Sequence, residues 1–191
     1  MKYRLKSVAM TAFLVFSLCI PLALSAQDEE SYKRERRILG IFDSVWKSAE
    51  EKGVVVAEQR PKLLAISKIE SPSEQIYSDC FAVVAFVEND GSIVFCPEFF
   101  PAEIGEQKYV MAHEIVHLIK KHHLVYGNAS GAMRVVYECE ATVGATEIVG
   151  NELVNSVLEK LLERKFDQIH ELAYRRAKDV LSGKDGSCNA D

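Results

Sequence analysis

The sequence lacks an excess of basic residues, and its charge balance is acidic. Lys and Arg number 23 against 28 Asp and Glu, which gives a formal net charge of −5. Because nucleic-acid binding depends on clusters of Lys and Arg that neutralise phosphates, the composition argues against a nucleic-acid partner. The sequence also contains no internal repeat, no low-complexity tract and no second domain boundary. These absences favour one compact domain with a hydrophobic core.

Long apolar runs are missing except at the N-terminus. Three basic residues precede an uncharged stretch over 7–26, which is apolar in its middle, is broken by Pro21 and ends in small residues. This order is typical of a secretory signal peptide, and we expect cleavage after Ala26. The alternative is an uncleaved membrane anchor, because about 20 residues can just span a bilayer.

Cleavage would leave residues 27–191 as a single exported domain. The three basic residues would be lost with the signal peptide, so 20 Lys and Arg would remain against 28 acidic residues, a net charge of −8. We expect this domain in the periplasm or outside the cell. It would have no membrane span and at most a peripheral association with a membrane.

Cysteine is scarce, with five residues in the chain, of which Cys19 falls in the predicted signal peptide. The other four are Cys80, Cys96, Cys139 and Cys188, an even number that suits disulfides in an exported protein. Four cysteines permit three pairings. We favour Cys80 with Cys96, since both lie in neighbouring extended segments, and such a bridge would contribute roughly 3 kcal/mol.

Apolar periodicity predicts an α+β domain that is mainly helical. The predicted helices cover 31–52, 106–123, 132–149 and, as one or two helices, 151–181. The predicted strands cover 63–66, 81–88 and 93–95. Asn89-Asp90-Gly91-Ser92 lies between the last two strands and is typical of a β-hairpin turn.

The helix predicted over 106–123 carries the motif His113-Glu114-x-x-His117. On a helix the two rings lie about 40° apart on the helical wheel and roughly 6 Å apart along the axis, so both can bind one zinc ion. Catalytic zinc has three protein ligands and a water whose pKa falls to about 7, and Glu114 could take the proton of that water during attack on a carbonyl. The alternative is two hydrogen-bonded histidines on a partly buried helix.

A third ligand is required, and Glu138 is the candidate that we favour. It lies 21 residues after His117, on the next predicted helix, and it completes the His, His, Glu set of thermolysin-like sites. Cys139 is a possible soft ligand, although its place among four exported cysteines predicts a disulfide instead.

Two further histidines follow the motif, and helical geometry argues against both as ligands. His122 would point about 140° away from His117 on the helical wheel, which predicts a packing or capping group. His123 would lie about 9 Å beyond His117 along the axis. A reversal of the chain after the second histidine would bring His123 back toward the metal site. One metalloprotease class has a glycine for that turn, but here the residue is Lys120.

Two segments, HEIVHLIKKH at 113–122 and ECEATVGA at 138–145, resemble gluzincin metallopeptidases of the HtpX and prenyl-protease type. That family has HExxHxxxxH and then ExxAD on the next helix. Glu138 and Ala141 match the second motif, whereas Thr142 replaces its Asp. The resemblance implies a zincin-like fold with a small antiparallel sheet beside the active-site helix. It also implies a zinc cofactor and an endopeptidase that acts on exported or envelope proteins.

The resemblance extends to His170 and Arg176, which have the spacing of a His and an Arg near the family's C-terminus, although Glu171 replaces the family's Pro. It implies an oxyanion or gating role for them; the alternative is an exposed helix of mixed charge. The resemblance and the physics of strand addition together predict that the hairpin strand holds an extended peptide substrate.

The departure at Thr142 keeps a second function class open. An Asp one turn beyond the Glu ligand can orient a histidine ligand, and a hydroxyl would hold the tautomer more weakly. We therefore predict a zinc endopeptidase with His113, His117 and Glu138 as ligands and Glu114 as general base. The alternatives are a non-catalytic zinc-bound module, chaperone-like or a scaffold, and a zinc hydrolase of small molecules.

Overall fold

The computed structural model describes residues 32, 33, 35–65, 80, 83–164 and 167–189. The chain divides into two compact units, 1–38 and 39–191. In the first unit the described residues are helical, and the predicted signal peptide over 1–26 lies outside them. Across the described part of the chain, every helix is too short or too polar to cross a membrane.

The second unit is mainly helical with one small sheet, which confirms the α+β class. Its helices are α1 (39–51), α2 (Ile104–Ile119), α3 (Gly131–Val149), α4 (Asn151–Leu162) and α5 (Gln168–Leu181). Its strands are β1 (Leu63–Ala65), β2 (Ala85–Val87) and β3 (Ile93–Phe95). Short 3₁₀ turns over Pro97–Phe99, His122–Leu124 and Tyr126–Asn128 connect some of these elements.

Helix α1 buries the apolar stripe that its periodicity predicts. Phe42 and Trp46 are almost fully buried, and their rings stack with centroids 5.7 Å apart. The helix stops at Gly53, whose φ of +71° is a left-handed conformation that glycine adopts without steric cost. Ser48 Oγ donates a hydrogen bond of 2.7 Å to the carbonyl of Ile148, so α1 is tied to the end of α3.

The sheet is mixed, which corrects the antiparallel sheet expected from the sequence. Its strand order is β1-β3-β2. The predicted hairpin is confirmed, because β2 pairs antiparallel with β3 around Gly91, but β1 pairs parallel with β3. Parallel strands need a connection of about a dozen residues or more, and residues 66–92, which include β2, separate β1 from β3. The predicted strand residues Ile66, Phe81 and Ala82 lie outside the described residues.

Two disulfide bonds join the four cysteines. Cys80 pairs with Cys96, as predicted, and ties the segment before β2 to the end of β3. Cys139 pairs with Cys188, which links the middle of α3 to the segment that follows α5. The second bond removes Cys139 from the candidate metal ligands, since its sulfur is already bonded.

Helix α3 is the central helix, because it packs against α2, α4 and α5. Its contact with α2 is very close at Gly144, where an added Cβ atom would lie 2.9 Å from Cγ1 of Val116. The two backbones can approach this far only because Gly144 has no side chain. The crossing brings Glu138, about one and a half turns earlier on α3, next to the buried face of α2.

Helix α2 ends earlier than predicted. The expected helix over 106–123 instead spans Ile104–Ile119, and Lys121 adopts a left-handed conformation with φ +59°. The chain therefore turns before His122 and enters a 3₁₀ turn over His122–Leu124. The prediction failed because Lys, which rarely adopts this conformation, stands where a helix-ending turn is usually marked by Gly or Asn.

The close approach at Gly144 predicts the effect of adding one methyl group. In Gly144→Ala, contact with the stiff, β-branched Val116 should cost about 1–3 kcal/mol, which exceeds the roughly 1 kcal/mol that Ala gains over Gly within a helix. We therefore expect a lower free energy of unfolding, measured by chemical denaturation. Gly40→Ala is the matched control, because an added Cβ there meets no atom within 4 Å, and it should be stabilising. Stabilisation by both substitutions would contradict the packing argument.

Candidate metal centre

Helix α2 presents the motif residues on its buried face. His113, Glu114 and His117 are each 7% exposed, and the two histidine Nε2 atoms lie 3.0 Å apart. The i, i+4 spacing places both rings on the same side of the helix, as the sequence predicts. Helix α2 alone therefore supplies two nitrogen donors that converge on one point.

Helix α3 supplies an oxygen donor to the same point. Glu138 Oε2 lies 3.1 Å from His113 Nε2 and 3.5 Å from His117 Nε2. Ligands at about 2.0–2.2 Å in a tetrahedral zinc site are roughly 3.3–3.6 Å from one another. The distance of 3.5 Å falls in this range, whereas those of 3.0 and 3.1 Å are slightly shorter, so the two histidines and the carboxylate would move apart by a few tenths of an ångström around a zinc ion. Among the described residues, His113, His117 and Glu138 form a buried group that could hold a metal ion.

The charges within this triad favour metal binding. Burial disfavours an ionised Glu138, but the charge on His117 and hydrogen bonds from both histidines hold the pKa of Glu138 well below its ordinary value. Burial lowers the pKa of His113 to about 4, so this ring is neutral. The triad thus contains an ionised carboxylate and a neutral imidazole, which are the forms that coordinate metals.

His117 differs from His113, because it retains a proton more strongly. Burial alone would lower the pKa of His117, but the charge of Glu138 and the hydrogen bond to it outweigh burial and raise that pKa above its ordinary value. A metal ion at Nε2 would have to displace this proton.

Glu114 is a buried carboxyl group beside the triad. Burial raises its pKa to about 7, although the charge of His117 opposes the shift. A carboxyl group with a pKa near neutrality can both take and return a proton at neutral pH. The structure therefore gives Glu114 properties that suit the base predicted from the motif.

Each histidine of the triad also has a partner at its other ring nitrogen. Thr142 Oγ1 lies 3.4 Å from Nδ1 of His113 and 3.1 Å from the hydroxyl of Tyr109. Thr142, which departs from the family pattern, thus occupies a place where it can orient His113, although the contact is long. On the other histidine, Nδ1 of His122 lies 3.1 Å from Nδ1 of His117.

The prediction that His122 points away from His117 was wrong. It assumed a continuous helix, whereas α2 ends at Ile119 and the left-handed Lys121 turns the chain back. His122 is 4% exposed and contacts His117 behind the triad. His123 was expected further along the same helix, but it lies in the 3₁₀ turn and lines the cleft described below.

The structure brings His170 to the site and places Arg176 elsewhere. His170 Nε2 lies 3.7 Å from Glu138 Oε2. Asp167 caps α5 by accepting hydrogen bonds from two backbone N–H groups, and its carboxylate also contacts His170 Nδ1. Arg176 donates to the carbonyl of Cys188 at 3.2 Å and is not among the described residues that line the cleft.

A cleft of about 600 Å³ opens beside the triad. Its lining includes residues 83–87, which contain the edge strand β2, together with Val110 and Glu114 of α2. Arg164 and Glu106 also line it and form a bidentate ion pair with distances of 2.6 and 3.0 Å. The cleft thus combines an extended backbone, apolar side chains and the buried polar triad.

Tyr126 is a site residue that sequence reasoning missed. Burial and the charge and hydrogen bond of Glu138 raise the pKa of Tyr126, so its hydroxyl stays protonated and donates to that carboxylate. Its ring also lies edge-on to His117, with centroids 6.3 Å apart. Tyr126 belongs to a 3₁₀ turn without apolar periodicity, so the sequence contained no signal for it.

Comparison of this chain with family models, with curated proteins and with solved structures finds no match. The function is therefore inferred from the geometry of the site and from the two motifs that form it.

The raised pKa of His117 predicts that metal affinity depends on pH. Because a proton on His117 competes with the metal, affinity should fall as the pH is lowered through that pKa, by about tenfold per pH unit for one displaced proton. Zinc dissociation constants from chelator competition at pH 8, 7 and 6 test this expectation. Calorimetry in two buffers with different ionisation enthalpies should show proton release, and a constant affinity over this range would contradict the prediction.

Proposed function

We propose that this chain is a zinc-dependent endopeptidase. The observation that carries the proposal is the buried His113, His117 and Glu138 triad with the carboxyl group of Glu114 in the same cleft. Two imidazole nitrogens and one carboxylate oxygen that converge within 3.5 Å of one another match the donor set of catalytic zinc sites. The resemblance to gluzincin metallopeptidases supports the same reaction class through its two motifs, and it implies a zincin-like fold.

Zinc bound at such a site supplies a Lewis acid, which polarises a carbonyl and lowers the pKa of water. Glu114 would take the proton of the attacking water and return it to the leaving amine. Its pKa of about 7 suits both transfers, because a general base and acid is most effective when its pKa lies near the working pH. The low exposure of the triad also keeps bulk water away from the reacting groups.

The cleft suits an extended peptide. Strand β2 lies at the edge of the sheet within the described part of the chain, and residues 83–87 line the cleft. A substrate strand could pair with the backbone of β2 and place its side chains against apolar residues such as Val110 and Leu161. This binding mode favours unfolded or extended polypeptides, consistent with exported or envelope proteins as substrates.

His170, on α5, would stabilise the negative charge that develops on the carbonyl oxygen during the reaction. It lines the cleft, lies 3.7 Å from the Glu138 carboxylate and is oriented by Asp167. From there its Nε2–H can donate to the oxygen of the carbonyl under attack. We do not extend this role to Arg176, because its guanidinium binds the carbonyl of Cys188.

Glu114→Gln is the central test. The variant should keep about one zinc per chain, because Glu114 is not a ligand, and should lose hydrolysis of unfolded polypeptides, because Gln cannot accept the proton. Metal content and peptide products are measured side by side. Glu147→Gln makes the same chemical change at an exposed position of α3 and should leave cleavage intact.

Full activity of Glu114→Gln would overturn the proposed mechanism. A wild-type chain that binds zinc and cleaves no polypeptide would instead support the non-catalytic zinc module. Glu138→Ala separates the two functions further. Loss of zinc together with cleavage favours the enzyme, whereas loss of zinc with unchanged folding and partner binding favours the module.

A further inference from the structure

Two ring nitrogens face each other behind the metal triad. His117 directs its Nε2 toward His113 and Glu138, at 3.0 and 3.5 Å, so its Nδ1 lies on the far side of the ring. There it meets Nδ1 of His122 at a distance of 3.1 Å. A hydrogen bond between two imidazole nitrogens requires one to carry the hydrogen and the other to offer a lone pair.

The role of His117 as a ligand decides which nitrogen carries that hydrogen. With a metal at His117 Nε2, the neutral ring keeps its hydrogen on Nδ1. His117 Nδ1–H then donates to His122 Nδ1, and His122 must carry its own hydrogen on Nε2. In the opposite arrangement His117 would carry its hydrogen on Nε2 and would have no lone pair there for the metal.

Glu140 is placed to hold His122 in the required tautomer. Its Oε2 lies 3.3 Å from His122 Nε2, where it can accept the hydrogen of that nitrogen. Lys120 Nζ donates to the same oxygen at 3.0 Å, so the carboxylate has a cationic partner. The ring of His122 also stacks on Tyr137, with centroids 4.5 Å apart and planes at 23°, which limits its rotation.

We propose that His122 and Glu140 are positioning residues, which hold His117 in the tautomer and orientation that bind the metal through two hydrogen bonds in series. This inference rests on the metal site of the proposed function and not on peptide hydrolysis. The corresponding contact of the other histidine is weaker, because Thr142 Oγ1 lies 3.4 Å from His113 Nδ1. The pair of His122 and Glu140 should therefore contribute more to metal affinity than Thr142.

Substitutions of His122 test the first hydrogen bond. His122→Phe keeps a ring for stacking on Tyr137 but removes the acceptor, and the zinc dissociation constant should rise by about 10- to 100-fold. His122→Asn places an amide oxygen near the position of Nδ1 and should recover part of that loss. Leu124→Phe is the control, since it places the same new side chain at an exposed position of the same 3₁₀ turn, outside the described residues that line the cleft, and zinc affinity should stay unchanged.

Glu140→Ala tests the second hydrogen bond at a partly exposed position, where folding is not at risk. We expect a smaller loss of zinc affinity than for His122→Phe, with Glu147→Ala on the same helix as the unchanged control. NMR of ¹⁵N-labelled histidine in the zinc-loaded protein should show His117 with its hydrogen on Nδ1 and His122 with its hydrogen on Nε2. Loss of this His122 signature in Glu140→Ala would identify the carboxylate as its cause.

The outcomes separate this inference from the proposed function. Zinc binding that is unchanged in Glu140→Ala and in a folded His122→Phe would overturn the positioning role and leave the metal site standing. A hydrogen on His122 Nδ1 in the zinc-loaded protein would also overturn it. A wild-type chain that binds no zinc would overturn both proposals, whereas a chain that binds zinc and cleaves nothing would leave the positioning role intact.

Discussion

The close approach of α2 and α3 is the contact on which the candidate metal centre depends. A Cβ atom on Gly144 would lie 2.9 Å from Val116, so the absence of one side chain sets the distance between the two helices. Val116 lies between the two histidines on α2, and Glu138 precedes Gly144 on α3. The helix spacing at Gly144 also determines how close Glu138 comes to α2. Glu138 Oε2 lies within 3.5 Å of the Nε2 atoms of both histidines. Neither helix alone could assemble the three donors.

The side chains of the triad are polar, and burying them costs free energy unless they have partners. A buried charge that lacks a partner is strongly unfavourable, and in this site the partners come from the triad itself and from the residues behind it. Glu138 accepts from Tyr126 and both histidines, and His117 contacts His122. The polar groups of the triad thereby have hydrogen-bond partners within the site itself, which offsets the cost of their burial.

The two disulfide bonds tie elements around the site. The bond between Cys80 and Cys96 joins the segment before β2 to the end of β3, and β2 lines the cleft. The bond between Cys139 and Cys188 begins one residue after Glu138 and joins α3 to the segment after α5, the helix that carries His170. Both covalent links therefore connect chain segments next to residues of the candidate site, and each restricts the conformations of the unfolded chain around it.

The sequence by itself determined the local features: the helices, the hairpin, the pairing of His113 with His117 on one helical face, and Glu138 as a partner on the next helix. The first three follow from periodicity and turn chemistry, which act over a few residues, whereas Glu138 follows from the ligand set of zinc sites and from the second motif of the resemblance. Only the tertiary structure decided the parallel pairing of β1 and the places of His122 and Tyr126. His122 in particular could not be predicted, since α2 ends at a left-handed Lys121 that no glycine marks. That conformation is costly for Lys in isolation, and it accompanies the burial of His122 against Tyr137 of α3, a contact between distant residues that local sequence rules do not contain.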